Sequence, residues 1–401
     1  MPDETLVVDA DGHTMEPDDL WTARMDRGRW GDWIPRKVVE DDVYETYYAG
    51  GVVRGGGREL QDAMSAAVGM TPKQFHDMLQ SLRVPGGHDP DARIADMDRD
   101  GIDVAVLYPS TALFFGPDDP IDAFHDVEFV LGCQRAYNDW VAEYCAARPR
   151  RLFAMAGVPL QSPDLAAVEA ERAVRELGLQ GVFVRPSAYV DELPLNHSAY
   201  DPFWAACQDL DVPVAFHPGV HVDTPGACRK FRLVAESENM MVTNMAMDEL
   251  HGGSGLGQAV GNTVDMIVTL GRLLMGGVCE RFPSLRLLVL ESSGGWAASL
   301  LERMDDEVRA NPQERRWLSL LPSEYFQRQC WISFEPDDPT LPRLADMIGP
   351  DRILWASDFP HSDAIYPGAG KAIRDLVVGL PPDQQEQIIG MNAVSAYKLA
   401  L

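Results

Sequence analysis

The chain has 401 residues, 46% of them hydrophobic, and its 62 acidic against 34 basic side chains give a formal net charge of −28. That length can bury the core of one large barrel or of two ordinary domains. The acidity argues against nucleic acid, which needs clustered Lys and Arg, and against an anionic membrane surface; it reads as a solvated exterior.

No run approaches the roughly 18 uninterrupted apolar residues of a membrane helix. The chain enters a strand-like LVVDA with no basic or apolar leader before it, so a soluble, cytoplasmic protein is the expectation. The six cysteines (Cys133, Cys145, Cys207, Cys228, Cys279 and Cys330) are far apart and form no CxxC pair. They read as reduced residues, not as a disulfide frame or a zinc ribbon.

Short apolar runs alternate with helical stretches along the chain. The strand candidates are 6–10, 104–110, 153–160, 181–186, 212–218, 285–292, 330–336 and 353–360, apolar on both faces as buried parallel strands are. Helical segments fill the gaps at 121–148, 163–177, 200–210, 262–281, 295–310 and 341–348. This order predicts an α/β fold, a single (β/α)₈ TIM barrel over 1–401, with a doubly wound open sheet as the alternative. Two connections exceed a simple βα unit, so the barrel carries insertions after strands one and five. The first, 17–95, contains DDVYETYYAGGVV, a predicted small hairpin; the second, 219–284, holds the glycine-rich 251–262 and helices. Both follow strand C-termini, the face where barrels build their sites, and are expected to act as lids or pocket walls.

The ends of the strands carry the chemistry. Strand one ends in Asp9-Ala10-Asp11-Gly12-His13, and alternation places Asp11 and His13 on one face. Strand five ends in His217, strand six in Glu291 and strand eight in Asp358, with His361 just beyond. Taken singly, each has a structural explanation: a turn, a hydrogen-bonded core histidine, or an N-cap at Asp358. Their coincidence at four strand ends points to one divalent metal ion, held by two imidazoles and two carboxylates from among them with a position open for water. Zinc is the first expectation, with manganese or iron as alternatives.

The segments VVDADGHTMEPDDLW, ARIADMDRDGIDVAVLYPS, YNDWVAEYCAARPRRLFAMAGVPLQ, GVFVRPS, FHPG, FPSLRLLVLESSGGW, ILWASDFPHSD and IIGMNA run almost the full length. Through them the chain resembles the amidohydrolase-related family that includes aminocarboxymuconate semialdehyde decarboxylase and other non-oxidative decarboxylases. The resemblance implies that Asp11 and His13 stand where the family carries a His-x-His ligand pair. It likewise matches His217 and Asp358 to the ligands of strands five and eight. The exchange of a neutral donor for Asp11 favours a harder metal such as Mn²⁺ over Zn²⁺. Glu291 occupies the strand-six position usually held by histidine, as a ligand or as a general base, and a one-residue shift would put Ser292 there.

The catalytic candidates are therefore Asp358, Glu291 and His361. Arg185, at the end of strand four, is the candidate for a substrate carboxylate, with a structural salt bridge as the competing reading. Glu16 is a candidate to orient His13 from behind, and His221 and His251 are candidates to reach the pocket from the second insertion. The reaction expected first is decarboxylation of a small aromatic or unsaturated carboxylic acid. Metal-dependent hydrolysis of a C–N, C–O or C–C bond is the alternative, and a catalytically inactive ligand-binding barrel the third reading. The expected partner is a small-molecule substrate, with a possible homodimer.

Overall fold

The structure is a computed structural model that describes residues 5–81, 83–116, 121–219, 257–361 and 364–401. Its apolar runs form β1 (Val8–Thr14), β5 (Val104–Pro109), β6 (Leu152–Ala154), β7 (Ala156–Gly157), β8 (Val182–Val184), β9 (Pro213–Phe216), β10 (Arg286–Val289), β11 (Cys330–Phe334) and β12 (Ile353–Trp355). The first insertion contributes β2 (Arg36–Glu40), β3 (Tyr44–Ala49) and β4 (Val52–Gly56). Every residue of β1, β5, β9, β10 and β11 is buried, as strands covered by helices on one side and by each other's side chains on the other must be.

Neighbouring strands pair in parallel and in chain order: β1–β5–β6, then β7–β8–β9–β10–β11–β12. Met155 separates β6 from β7, yet its N–H donates to Leu107 O (3.0 Å) and the next N–H, of Ala156, to Gly181 O (2.9 Å). β6 and β7 are thus one strand that pairs with β5 through its first half and β8 through its second. The two ends of the series meet without a ladder. Asp358 N donates to Asp11 O (3.1 Å), His13 N donates to Phe359 O (2.7 Å), and Ser357 N donates to Asp9 Oδ1 (2.9 Å). This seam sets the segment beyond β12 against β1.

Helices cover the outside and begin where the sequence supplies caps. Asp126 accepts from the Glu128 and Phe129 N–H groups at the start of Val127–Ala146, and Ser162 precedes Pro163–Arg175 with proline in its first turn. Asp89 caps Pro90–Asp100, which stops at Gly101 in the left-handed region (φ 70°). That helix points Arg93 at the barrel.

In the first insertion the segment predicted as a hairpin pairs as β3–β4, and β2, just before it, adds a third antiparallel strand. Gly50 and Gly51 turn β3 into β4 with φ of 63° and 83°, the geometry of a tight right-twisted hairpin. β2 escaped the sequence reading because Arg-Lys-Val-Val-Glu does not alternate. Two helices, Arg58–Ala67 and Pro72–Ser81, follow. In the second insertion, 220–256 lie outside the described residues, including His221, His251 and the first half of the glycine-rich run; the helix Thr263–Met275 leads back toward β10.

Two helical glycines test the packing. A Cβ on Gly390 would fall on the Leu6 carbonyl, whereas one on Gly271 meets nothing within 4 Å. Gly390→Ala is expected to lower stability by about 1–3 kcal/mol, and Gly271→Ala to raise it by about 0.5–1 kcal/mol. Urea denaturation of both variants checks the opposite signs.

Candidate metal centre

β1 runs on through the motif, so Asp11 and His13 are strand residues and are buried. It carries a bulge: between Asp9 and Gly12 it has one residue more than its partner β5. The bulge sends Asp9 sideways to the seam, where Ser357 donates through both its N–H (2.9 Å) and its hydroxyl (2.5 Å). Burial raises the Asp9 pKa, and the Ser357 bonds only partly offset this.

Each imidazole is held by its Nδ1. His13 Nδ1 lies 2.9 Å from Pro109 O, and His217 Nδ1 lies 2.9 Å from Pro218 O and 3.1 Å from Glu291 Oε2. Both Nε2 atoms therefore face inward, 3.1 Å apart. Asp11 brings its two oxygens to 3.6 Å from His13 Nε2 and 3.5 Å from His217 Nε2. Asp358 Oδ1 lies 3.3 Å from His13 Nε2 and 2.8 Å from His361 Nδ1. The His361 ring stacks on His13 at 4.0 Å between centroids. Asp358 and Glu291 both hold positive φ (57° and 47°), a backbone strain of about 1–3 kcal/mol each that aims their carboxylates.

The cluster suits a divalent cation. Ligand atoms of Asp11, His13 and His217 lie within 4.8 Å of one another, as do those of His13, Asp358 and His361. Asp11 Oδ1 is buried with no hydrogen-bond partner, a costly state that a cation relieves. Burial first, then the neighbouring His361 and His217, hold His13 well below the usual imidazole range, so it is a neutral donor. At His217 burial also opposes protonation, but the Asp11 and Glu291 carboxylates outweigh it and lift the pKa to about 10. Burial pushes Glu291 up to about 8, against the pull of His217. Without a cation the two carboxylates favour a proton on His217; a cation bound at its inward Nε2 would take the place of that proton.

A cavity of about 510 Å³ opens beside Asp11, Glu291 and Asp358, walled by Ser292, Ser293, Phe334 and Ile365. Arg185 is not among the residues that wall it. Its buried guanidinium stands 5.5 Å from the Phe114 ring. Glu16 does not touch His13; it accepts the backbone N–H groups of Thr111 (3.0 Å) and Ala112 (2.8 Å) and caps the turn after β5. Pro109 O orients His13 instead. Glu291 lies against the outward nitrogen of His217, the position of a group that orients a ligand.

The chain matches the amidohydrolase family model (Amidohydro_2) over residues 8–399. It belongs to the amidohydrolase family. A gamma-resorcylate decarboxylase of Rhodococcus jostii is 28% identical over 319 residues, 76% of this chain and 86% of that protein. An amidohydrolase from Mycobacterium avium subsp. paratuberculosis superposes with a TM-score of 0.73 at 23% identity, covering 98% of each chain. A 5-carboxyvanillate decarboxylase from Novosphingobium aromaticivorans, with bound manganese and 3-methoxy-4-hydroxy-5-nitrobenzoic acid, superposes with a TM-score of 0.64 at 19% identity. It covers 99% of this chain and 98% of its own. The amidohydrolase barrel is thus the fold that the parallel strand order builds.

Sequence reasoning missed Ser110, Asp9, Ser357 and Arg93. The Arg93 guanidinium, buried from the Pro90–Asp100 helix, donates to His13 O (2.9 Å) and Phe359 O (3.3 Å), joining both sides of the seam. The signal was Gly12, since a glycine between two functional strand residues marks a close approach. A Cβ there would fall on the Arg93 guanidinium. Gly12→Ala is expected to cost about 1–3 kcal/mol of stability and to weaken Mn²⁺ binding. Calorimetric titration of the refolded variant, beside a denaturant curve, measures both.

Proposed function

We propose that this protein is a metal-dependent, non-oxidative decarboxylase of a small aromatic or unsaturated carboxylic acid. The observation that carries the reading is a proton-holding chain, Ser110–His361–Asp358, beside the cluster of metal donors. The Ser110 hydroxyl donates to Thr14 O (2.7 Å), so toward His361 Nε2 (2.9 Å) it can only accept. Nε2 therefore carries a hydrogen, and the 2.8 Å contact between His361 Nδ1 and Asp358 Oδ1 needs a second proton between them. Although burial disfavours the imidazolium, the Asp358 carboxylate outweighs it and raises the His361 pKa.

That shared proton is the one decarboxylation consumes. When the C–C bond to the carboxylate breaks, its electron pair stays on carbon and must be met by a proton. Asp358, at the edge of the cavity, is the group that delivers it, and His361 reloads Asp358 while Ser110 keeps the ring in register. Asp11, His13, His217 and Asp358 would hold the divalent cation, which polarises the oxygens of the bound acid. Glu291 fixes His217 by its Nδ1. Arg185 enters this reading as a support for Phe114 at the rim of the site.

We assign manganese over zinc because two of the four donors are hard carboxylates, and the carboxyvanillate decarboxylase with the same fold holds manganese. The five described cysteines are unpaired, in keeping with a reducing, cytoplasmic compartment. No helix among the described residues is long and apolar enough to cross a membrane.

Protein stripped with chelator and reloaded with Mn²⁺ is expected to release CO₂ from hydroxybenzoates such as 2,6-dihydroxybenzoate, and the stripped protein to release none. Asp358→Asn should lower kcat by about 10²–10⁴. Glu291→Gln should weaken metal affinity or activity by about 10–100-fold. Turnover of amides, esters or lactones without CO₂ would replace this reading with hydrolysis. A protein that takes up no divalent metal would end it.

A further inference from the structure

The first insertion forms a second cavity, of about 340 Å³, between the β2–β3–β4 sheet, its two following helices and the turn after β5. Its apolar wall is Tyr47, Met64, Phe75, Leu79, Phe114 and Phe115. Three charged groups line it, and of these Lys37 and Glu45 pair with each other while the Arg54 guanidinium stands 5.6 Å from the Phe124 ring. Lys37 Nζ pairs with Asp18 (2.7 Å) and Glu45 (3.2 Å), and Gln80 donates to the other Glu45 oxygen (2.5 Å). With Lys37 and Glu45 paired, the remaining wall is mostly apolar surface, which favours an apolar group.

It also abuts the reacting centre. Ser110 and Thr111 line it, and Ser110 Oγ is the atom that accepts from His361. Phe114 lines it as well, and its ring lies 5.5 Å from the Arg185 guanidinium carbon at the end of β8. A Cβ on Gly219, two residues past His217, would come within 2.6 Å of that ring. Phe114 thus stands between the cavity and the ends of β8 and β9.

We propose that this cavity is a specificity pocket for an apolar extension of the substrate, an alkyl chain or a second ring attached to the carboxylated ring. The inference rests on the decarboxylase reading for the reacting end alone. An apolar cavity of about 150 Å³ accepts benzene, so the volume here exceeds one unsubstituted ring. Leu79 and Met64, half-buried on the two helices, line it from the insertion side.

The test uses full-length Mn²⁺-loaded protein, with 2,4-dihydroxybenzoate and its 6-methyl, 6-propyl and 6-pentyl homologues as probes, plus the matching 5-alkyl series. Binding is measured by calorimetry and CO₂ release separately. In at least one series, affinity is expected to rise about four-fold per buried methylene until the cavity is full. Leu79→Trp should shorten the chain length at which affinity peaks, and Leu79→Ala should lengthen it; opposite shifts are not produced by a general loss of folding. Affinity that is flat with chain length in both series, or a peak that neither variant moves, overturns the pocket. Chain-length-dependent binding that shifts in the variants, without CO₂ from any acid, upholds the pocket and overturns the decarboxylase reading instead.

Discussion

The geometry of the site depends on the join between the first strand and the segment after the last. Three bonds to β1, from Ser357 N, Asp358 N and to Phe359 O, fix this join, and the Arg93 guanidinium bridges the two carbonyls nearest the cluster. Asp358 reaches His13 because the backbone on either side of it is tied to β1. The bulge at Asp9 to Gly12 belongs to the same arrangement. Its extra residue lets Asp9 close the seam while Asp11 turns to the cluster, so adjacent acidic positions take separate tasks.

Beneath this join lies a polar layer with its hydrogen bonds made. Tyr108 and Tyr397 share a hydrogen bond of 2.8 Å, and Tyr397 OH donates to Ala10 O (2.7 Å). The phenols support β1 from below without adding charge, since burial keeps both well above the usual tyrosine range. At the mouth the carboxylates converge on two inward nitrogens. Burial, with His361 and His217 beside it, keeps His13 neutral and available as a donor.

Much of the site was legible in the sequence because strand ends in a parallel barrel point at one place. Asp11, His13, His217 and Asp358 could be gathered from position alone, and the structure brings all four together with His361. What could not be read were partners far apart in the chain: Asp9 with Ser357, Arg93 with His13 O, Ser110 with His361. No local periodicity carries such pairs. Glu16 shows the converse: it was a candidate to orient His13, and the turn after β5 claims it through two backbone N–H groups. Arg185, chosen for its place at the end of a strand, is buried there with its guanidinium 5.5 Å from the Phe114 ring. Strand edges blurred for a simpler reason: the runs chosen as strands include the flanking residues that bear the functional groups, and ladder bonding stops earlier at β8, β10 and β12.

The seam also orders events in the life of the chain. Asp11 and His13 stand on the first strand of the barrel and Asp358 follows the last, so the contact between them has nearly the largest sequence separation the barrel allows. Contacts of that kind form late, after loop-closure entropy has been met by the rest of the barrel. A nascent polypeptide that already displays β1 has two of its donors and no enclosure for a cation. Only once β12 has been synthesised and has docked does Asp358 join the candidate metal centre, so a complete set of donors would report a complete barrel.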